Sequence, residues 1–182
     1  MNRRALLAAA GSTAVAPFAG CLSDAAFLGE SDPVEFSKPP SEYPINTGPT
    51  GDGGWTPHDT FVEFEIGSRD DNDYRPHYAR VWNAAGVSEL EFSIYDALSE
   101  SVVHHDSYEL PENEEVKATL FEPSKYLLKV RIPATDTKHI ARVPCNFFDC
   151  NRHSTRIKII EPETIESTVG GTLLLCADRF EC

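Results

Sequence analysis

Residues 89–95 read ELEFSIY, and this stretch decides which class of fold the chain can form. Leu90, Phe92 and Ile94 would share one face of an extended chain, because successive side chains of a strand point to opposite faces. Mostly polar residues alternate with them. A period of two is the pattern of a strand with one face buried, so the stretch predicts a β-strand that covers an apolar core.

The same alternation recurs along the chain. In FVEFEIG (61–67), apolar residues alternate with glutamates, and KYLLKVRI (125–132) repeats the pattern. Further strands are predicted in shorter or less regular runs: residues 78–83, 101–107, 115–121, 139–143, RIKII (156–160) and TLLLC (172–176). Turn clusters such as AAGVS (84–88) and PENE (111–114) separate them, and no amphipathic helix competes. We therefore expect an all-β fold, an antiparallel β-sandwich of about seven to nine strands.

The chain is strongly acidic. It has 182 residues and a formal net charge of −13, but 41% of its residues are hydrophobic, which is too many for a disordered chain. Only six of the sixteen basic residues are lysines. Phosphate binding requires a basic patch and the sequence shows none, so we do not expect nucleic acid as a partner. A cation such as calcium is compatible with the charge.

The first 21 residues, MNRRALLAAAGSTAVAPFAGC, predict export and a lipid anchor. Arg3 and Arg4 precede a mildly apolar run that is too short to span a membrane but suits a signal sequence. NRRALL (2–7) resembles a twin-arginine export signal, and FAGC (18–21) resembles a lipobox. The resemblance implies that residues 1–20 are a signal peptide. It also implies that a lipid on Cys21 holds the protein to the extracellular face of the cell membrane.

Residues 21–57 are predicted to be a lipid-anchored tether. Proline, glycine, serine and aspartate dominate the segment, and neither a helical nor a strand period persists in it. Phe36, Tyr43 and Trp55 are exceptions, which indicates that parts of the segment lie on the surface of the domain. Residues 58–182 are then long enough for one disulfide-stapled β-sandwich domain.

Two parts of this domain resemble known proteins. Residues 87–110 read as a strand, a turn and a return strand, and LFEPSKYLLKVRI (120–132) reads as a turn followed by an apolar strand. This part resembles immunoglobulin-like or transthyretin-like domains. The stretch from FDCNRH (148–153) to TLLLC resembles the ending of uncharacterised haloarchaeal lipoproteins. The acidic, lysine-poor composition resembles that of haloarchaeal proteins. The resemblance implies a location and a fold but no activity.

Four cysteines remain once Cys21 is assigned to the lipid. In an exported domain they predict two disulfides. The pair Cys150 and Cys176 and the pair Cys145 and Cys182 are both centred near residue 163, inside EPET (161–164), the predicted turn of a hairpin. An antiparallel hairpin would bring both nested pairs together. The local pairing, Cys145 with Cys150 and Cys176 with Cys182, remains the alternative.

The same cysteines are also candidate zinc ligands. CNFFDCNRH (145–153) supplies Cys145, Cys150 and His153, and Cys176 would complete a set of four. The C-x4-C-x2-H spacing is not a common zinc spacing, and exported thiols tend to oxidise, which favours disulfides. Blue copper is disfavoured because its usual axial methionine is missing once Met1 is removed.

A second metal hypothesis concerns SRDDNDYRP (68–76). Asp70, Asp71 and Asp73 lie in one predicted loop, and their carboxylates are plausible calcium ligands. The order lacks the alternating ligands and the glycine of an EF-hand, so a solvated acidic turn is the alternative.

No motif in the sequence predicts catalysis. The patterns G-x-S-x-G, H-E-x-x-H and G-x-G-x-x-G and the phosphate loop are all missing from the sequence. His104 and His105 would point to opposite faces of a strand, so they are not expected to act as a pair. Phe147 and Phe148 are expected to pack in the core, and the alternative is that one is exposed as a contact for a partner.

The sequence therefore favours a non-enzymatic cell-surface lipoprotein that presents a β-sandwich for binding or envelope interaction. Its expected partners are the membrane and an unidentified surface protein or ligand, and no cofactor is expected. The alternative is an extracellular domain that binds a metal or a small ligand. It would use calcium at residues 70–73 or zinc at the cluster of Cys145, Cys150 and His153.

Overall fold

A computed structural model of the chain describes residues 36–45, 55–56, 59–69, 74–172, 176 and 182. All of these residues belong to one compact unit, Val34–Cys182. The predicted signal peptide, Cys21 and the aspartates of the predicted calcium loop lie outside the described residues.

The described residues form nine strands and two short 3-10 helices at Pro40–Glu42 and Cys145–Phe147. The strands in chain order are β1 (Asp59–Ile66), β2 (His77–Asn83), β3 (Leu90–Asp96), β4 (Ser101–Tyr108), β5 (Glu114–Leu120), β6 (Tyr126–Ile132), β7 (Thr137–Val143), β8 (His153–Glu161) and β9 (Thr164–Gly171). In this part of the chain, no helix is long and apolar enough to cross a membrane.

Two sheets build the fold. One has five strands in the order β1-β5-β2-β8-β9, and the other has four in the order β4-β3-β6-β7. Side chains from both sheets meet in a single apolar core, so the all-β sandwich predicted from the alternation is confirmed. The largest side chains that are fully buried there include Phe92, Tyr126 and Phe148.

Strand pairing in the five-stranded sheet is mixed rather than purely antiparallel. β1 pairs with β5, and β2 pairs with β8, in parallel. A parallel pair needs a long crossover between its strands, and here the chain supplies it by passing through the other sheet. The four-stranded sheet consists of antiparallel pairs only, as expected.

The alternation in ELEFSIY is reproduced in the burial of β3. Leu90, Phe92 and Ile94 are fully buried, and each contributes about 1.5–3 kcal/mol of hydrophobic free energy. Val62, Phe64 and Ile66 of β1 face the same core but are only partly buried. β1 is an edge strand, so its apolar face is covered on fewer sides.

The last strand differs from the expectation. β8 pairs with Thr164–Gly171, beginning at the contact between Glu161 and Thr164, whereas the sequence favoured TLLLC as the final strand. The turn is tight, so pairing starts as soon as Pro162 and Glu163 have reversed the chain. Residues 173–175 of TLLLC lie outside the described part of the chain.

Parts of the predicted tether lie on the sandwich. Tyr43 is buried, and the ring of Phe36 packs at a tilt against Tyr95 of β3, with a centroid distance of 4.8 Å. The backbone N–H of Arg142 in β7 donates to the carbonyl of Pro44 at 3.1 Å. The aromatic residues of the segment therefore contact the domain, as their presence in a polar segment indicated.

Two disulfides close the end of the chain onto the domain. Cys145 bonds to Cys182, and Cys150 bonds to Cys176, with Cα–Cα distances of 5.9 and 5.7 Å. These are the nested pairs favoured by the hairpin register rather than the local pairs. The β8–β9 hairpin runs between Cys150 and Cys176, so its antiparallel pairing brings their backbones together.

We predict that tryptic peptides of the non-reduced protein will show this nesting. Cleavage should leave residues 143–152 linked both to residues 159–179 and to residues 180–182, because the first peptide carries Cys145 and Cys150. Local pairing would leave residues 143–152 unlinked, which mass spectrometry would detect. Further cleavage after Phe148 separates Cys145 from Cys150 and identifies each partner.

Removing either disulfide should destabilise the fold. The bonds span 37 and 26 residues, and loops of this size are worth roughly 3–4 kcal/mol in the chain-entropy account. Cys145→Ser with Cys182→Ser, and Cys150→Ser with Cys176→Ser, should each lower the unfolding free energy by about this amount in chemical denaturation. An unchanged denaturation midpoint in either pair would contradict the structural role.

Candidate functional site

Three basic side chains stand side by side on the outer face of the five-stranded sheet. Lys117 of β5 is the register partner of Arg80 in β2, and Arg80 is the register partner of Arg156 in β8. The three residues alternate with buried core residues on their strands, so their side chains share the face that points away from the core. We call Lys117, Arg80 and Arg156 the cationic row.

The cationic row places like charges on neighbouring strands, which sheets usually avoid. Neighbouring strands are about 4.8 Å apart, and like charges placed directly opposite one another destabilise a sheet. The row therefore requires negative groups close by.

Glu115 supplies one of these negative groups from the same face of β5 as Lys117. Its side chain is almost fully buried, and Arg80 Nε donates to both of its carboxylate oxygens at 3.1 and 3.0 Å. Trp55 Nε1 donates to Glu115 Oε2 at 3.2 Å, and Thr60 Oγ1 donates to Oε1 at 3.3 Å. Glu115 thus fixes the position of the Arg80 guanidinium and joins it to the N-terminal segment.

The ends of the row are held by different contacts. Lys117 Nζ donates to Glu63 Oε1 at 2.6 Å, and the Glu63 side chain is half exposed. Trp55 lies near both guanidiniums, with its ring centroid 5.5 Å from Arg80 Cζ and 5.9 Å from Arg156 Cζ. Each of these distances is within the range of a cation–π contact.

A cavity of about 590 Å³ opens beside the cationic row. We call it the groove. It is lined by Thr60, Tyr78, Arg80, Glu115, Lys117, Arg152, His153, Ser154, Arg156, Gly170, Gly171 and Thr172. Its volume lies within the range of ordinary ligand sites, about 300–1,000 Å³.

Two glycines of β9 leave room for the basic side chains of the groove. A Cβ on Gly170 would lie 3.2 Å from Arg156 Cζ, and a Cβ on Gly171 would lie 2.6 Å from His153 Nδ1. Neither glycine has a positive φ, so the backbone does not require them. Glycine inside a strand often marks a close approach of other groups, and here those groups are side chains of the groove.

The groove is lined mainly by positive charges, whereas the whole chain has a negative net charge. Its lining contains four Lys or Arg residues and one glutamate, against a formal net charge of −13 for the protein. The sequence shows no basic patch because these residues are scattered between positions 80 and 156. The premise that the chain has no basic patch is wrong, because the sheet order assembles one from separate strands. In the cationic row, alternation with buried residues indicates that each cation faces outward, but only the register shows that they are neighbours.

The structure does not bring the predicted zinc ligands together. Cys145 and Cys150 belong to different disulfides, and disulfide sulfurs are not thiolate ligands. His153 Nε2 lies 3.1 Å from Asp149 Oδ1 instead. Among the described residues, no group of three His, Cys, Asp or Glu side chains is arranged to hold a metal ion. The calcium hypothesis rests on residues outside this range and stays a prediction.

The adjacent histidines lie on opposite faces, as expected. His104 is partly buried and stacks on Phe64 with ring centroids 3.9 Å apart. His105 is exposed, and its Nδ1 lies 2.8 Å from Ser93 Oγ.

The adjacent phenylalanines both pack inward. Phe148 is fully buried, and Phe147 is partly buried against the core. The ring of Phe147 lies between His77 and His153, at centroid distances of 5.8 and 5.0 Å. Core packing, rather than an exposed contact for a partner, is therefore observed for this pair.

His77 is a buried histidine beneath the groove. The backbone N–H of Thr155 donates to His77 Nε2 at 3.1 Å, so Nε2 is an acceptor and the neutral ring carries its proton on Nδ1. Burial, together with the nearby His153, lowers the pKa of His77 to about 3. The core thus holds this side chain in its neutral form.

No protein-family model matches the chain, and no curated protein matches it.

We predict that Glu115 matters much more for stability than Glu63. Glu115→Ala would leave the Arg80 guanidinium and the Trp55 N–H without their shared acceptor, at a cost of about 2–3 kcal/mol. Glu63→Ala removes a half-exposed ion pair and should cost less than about 1 kcal/mol. Chemical denaturation of both variants in the same salt measures the difference. Equal losses would contradict the buried role of Glu115.

We also predict that acid destabilises the fold through His77. The unfolded chain binds a proton at this residue near pH 6.5, whereas the folded state stays neutral down to about pH 3. Between these two pH values the unfolded state binds more protons than the folded state. The stability present above pH 6.5 is therefore lost as the pH falls from 6.5 toward 3. The loss is at most about 1.4 kcal/mol per pH unit for one histidine.

Histidine variants test whether His77 causes this loss of stability in acid. Burial also lowers the pKa of His104 and His139, so the His77→Gln variant should retain part of the slope. Between pH 7 and 5, His77→Gln should show a shallower loss of unfolding free energy than the wild type. His105→Gln changes an exposed histidine and serves as the control. A wild-type slope in His77→Gln would show that His77 does not contribute.

Proposed function

We propose that the protein is an exported, lipid-anchored β-sandwich that works by binding rather than catalysis at the outer face of the cell membrane. The N-terminal sequence supports this proposal, because the arginine pair and FAGC (18–21) resemble a twin-arginine signal that ends in a lipobox. The two disulfides also support it, because such bonds persist in oxidising compartments.

The groove is the observation that carries the binding role. Its cations are fixed by neighbouring groups, since Glu115 holds Arg80 and Trp55 lies against both guanidiniums. A site with pre-positioned side chains loses less conformational freedom when a ligand arrives. Sheet residues of a disulfide-closed sandwich provide the rigid support that such a site needs.

We predict that the location depends on Arg3, Arg4 and Cys21. In a host with twin-arginine export, the wild type should sediment with membranes and react with a membrane-impermeant amine label on intact cells. Cys21→Ser should still reach the outside but appear in the medium, because the lipid is lost. Arg3→Lys with Arg4→Lys should remain inside the cell and unlabelled.

Ser23→Ala is the matched control beside the proposed lipidation site. It should behave like the wild type in fractionation and labelling. Membrane association of Cys21→Ser at the wild-type level would contradict the lipid anchor. Normal surface labelling of the double lysine variant would contradict the export route.

A further inference from the structure

We infer that the groove binds a compact ligand that carries at least two oxyanion groups, whether carboxylate, sulfate or phosphate. The inference rests on the proposed binding role and names the class of ligand. It concerns the groove alone, so its test does not depend on where the protein is located.

The side chains of the cationic row lie in an electrostatically unfavourable arrangement. Three positive side chains occupy adjacent register positions on β5, β2 and β8, where like charges repel. Glu63 and Glu115 offset this repulsion at Lys117 and Arg80, but the groove lining still contains more cations than anions. A bound oxyanion would lower the repulsion further and form charge-assisted hydrogen bonds.

Two glycines of β9 leave space beside the basic side chains of the groove. Gly170 and Gly171 carry no side chains where a Cβ would press on Arg156 and His153. Guanidinium groups suit oxyanions because their planar N–H fork matches two oxygen atoms. Arg152 adds another guanidinium at the same end of the groove.

The size and polarity of the cavity suit an organic ligand. About 590 Å³ exceeds what a single small ion needs and falls in the range of organic ligands. Hydroxyl-bearing residues complete the lining: Thr60, Tyr78, Ser154 and Thr172. Among them, the Tyr78 hydroxyl can bond to the uncharged parts of a ligand.

The charge of the remaining chain favours a compact ligand over a long polyanion. The groove is a local positive site on a protein whose formal net charge is −13. A nucleic acid or other long polyanion would extend beyond the groove onto a surface of its own sign and be repelled. A small ligand with clustered oxyanions would meet only the positive site.

Isothermal titration calorimetry of the purified full chain tests the inference. Citrate and pyrophosphate are the compact probes, inorganic sulfate is the single-ion probe, and a single-stranded DNA oligonucleotide is the polymer probe. The ionic strength is held constant with chloride, so that general screening is the same in every titration. We expect citrate or pyrophosphate to bind with one-to-one stoichiometry and more tightly than sulfate or the oligonucleotide.

Charge-matched variants locate the binding. Arg152→Gln with Arg156→Gln should weaken the binding of the compact probe about tenfold or more, because charge-assisted hydrogen bonds are lost. Lys129→Gln with Lys138→Gln removes the same charge from the four-stranded sheet and should leave the affinity within about twofold of the wild type. Glu63→Gln should tighten binding, because a carboxylate that competes for Lys117 is removed.

Protection of Lys117 from acetylation gives a second measurement on the unaltered chain. A compact probe should slow the acetylation of Lys117, whereas Lys129 should react at an unchanged rate. This readout applies even if the arginine variants do not fold.

Three results would overturn the inference. The first is equal weakening in the groove variant and its charge-matched control, which would indicate a general surface effect. The second is binding of none of the oxyanion probes together with unprotected Lys117. The third is tighter binding of the oligonucleotide than of the compact probes. None of these results would affect the lipid anchor, which the fractionation experiment tests separately.

Discussion

The parallel pairing of β2 with β8 is the constraint on which both the core and the groove depend. Its register places Val81 beside Ile157 on the inner face and Arg80 beside Arg156 on the outer face. Side chains alternate with a period of two, so a slip by one residue would expose the apolar set and bury the cations. The hydrophobic requirement of the core therefore also fixes the spacing of the charges outside it.

Local contacts around His77 help to hold this register. His77 and Thr155 bond across the two strands, and the buried ring lies against the Phe147–Phe148 segment. That segment is bounded by Cys145 and Cys150, whose disulfides connect it to the end of the chain. The covalent closure and the buried histidine thus act on the same end of β2 and β8, next to Arg152 and His153 of the groove.

The parts of the fold that could be read from the sequence are those encoded by neighbouring residues. Alternation in stretches such as ELEFSIY predicted strands and their buried faces, because that pattern depends only on the local backbone. The groove was missed because β5, β2 and β8 are neighbours in space but not in sequence. β9 was misplaced because Gly170 and Gly171 weaken its strand pattern. These glycines leave room for the side chains of Arg156 and His153, which come from another strand.

The acidic chain and its basic groove together affect how ligand selectivity depends on salt. At about 1 M salt the screening length is only about 3 Å, so charges several residues away no longer attract or repel a ligand effectively. Direct contacts between guanidinium and oxyanion persist, particularly where the partners are partly buried. The ion pair of Arg80 and Glu115 is an example. At such salt concentrations, recognition by the groove would depend on its fixed geometry, and the long-range repulsion of polymers would matter mainly in dilute salt.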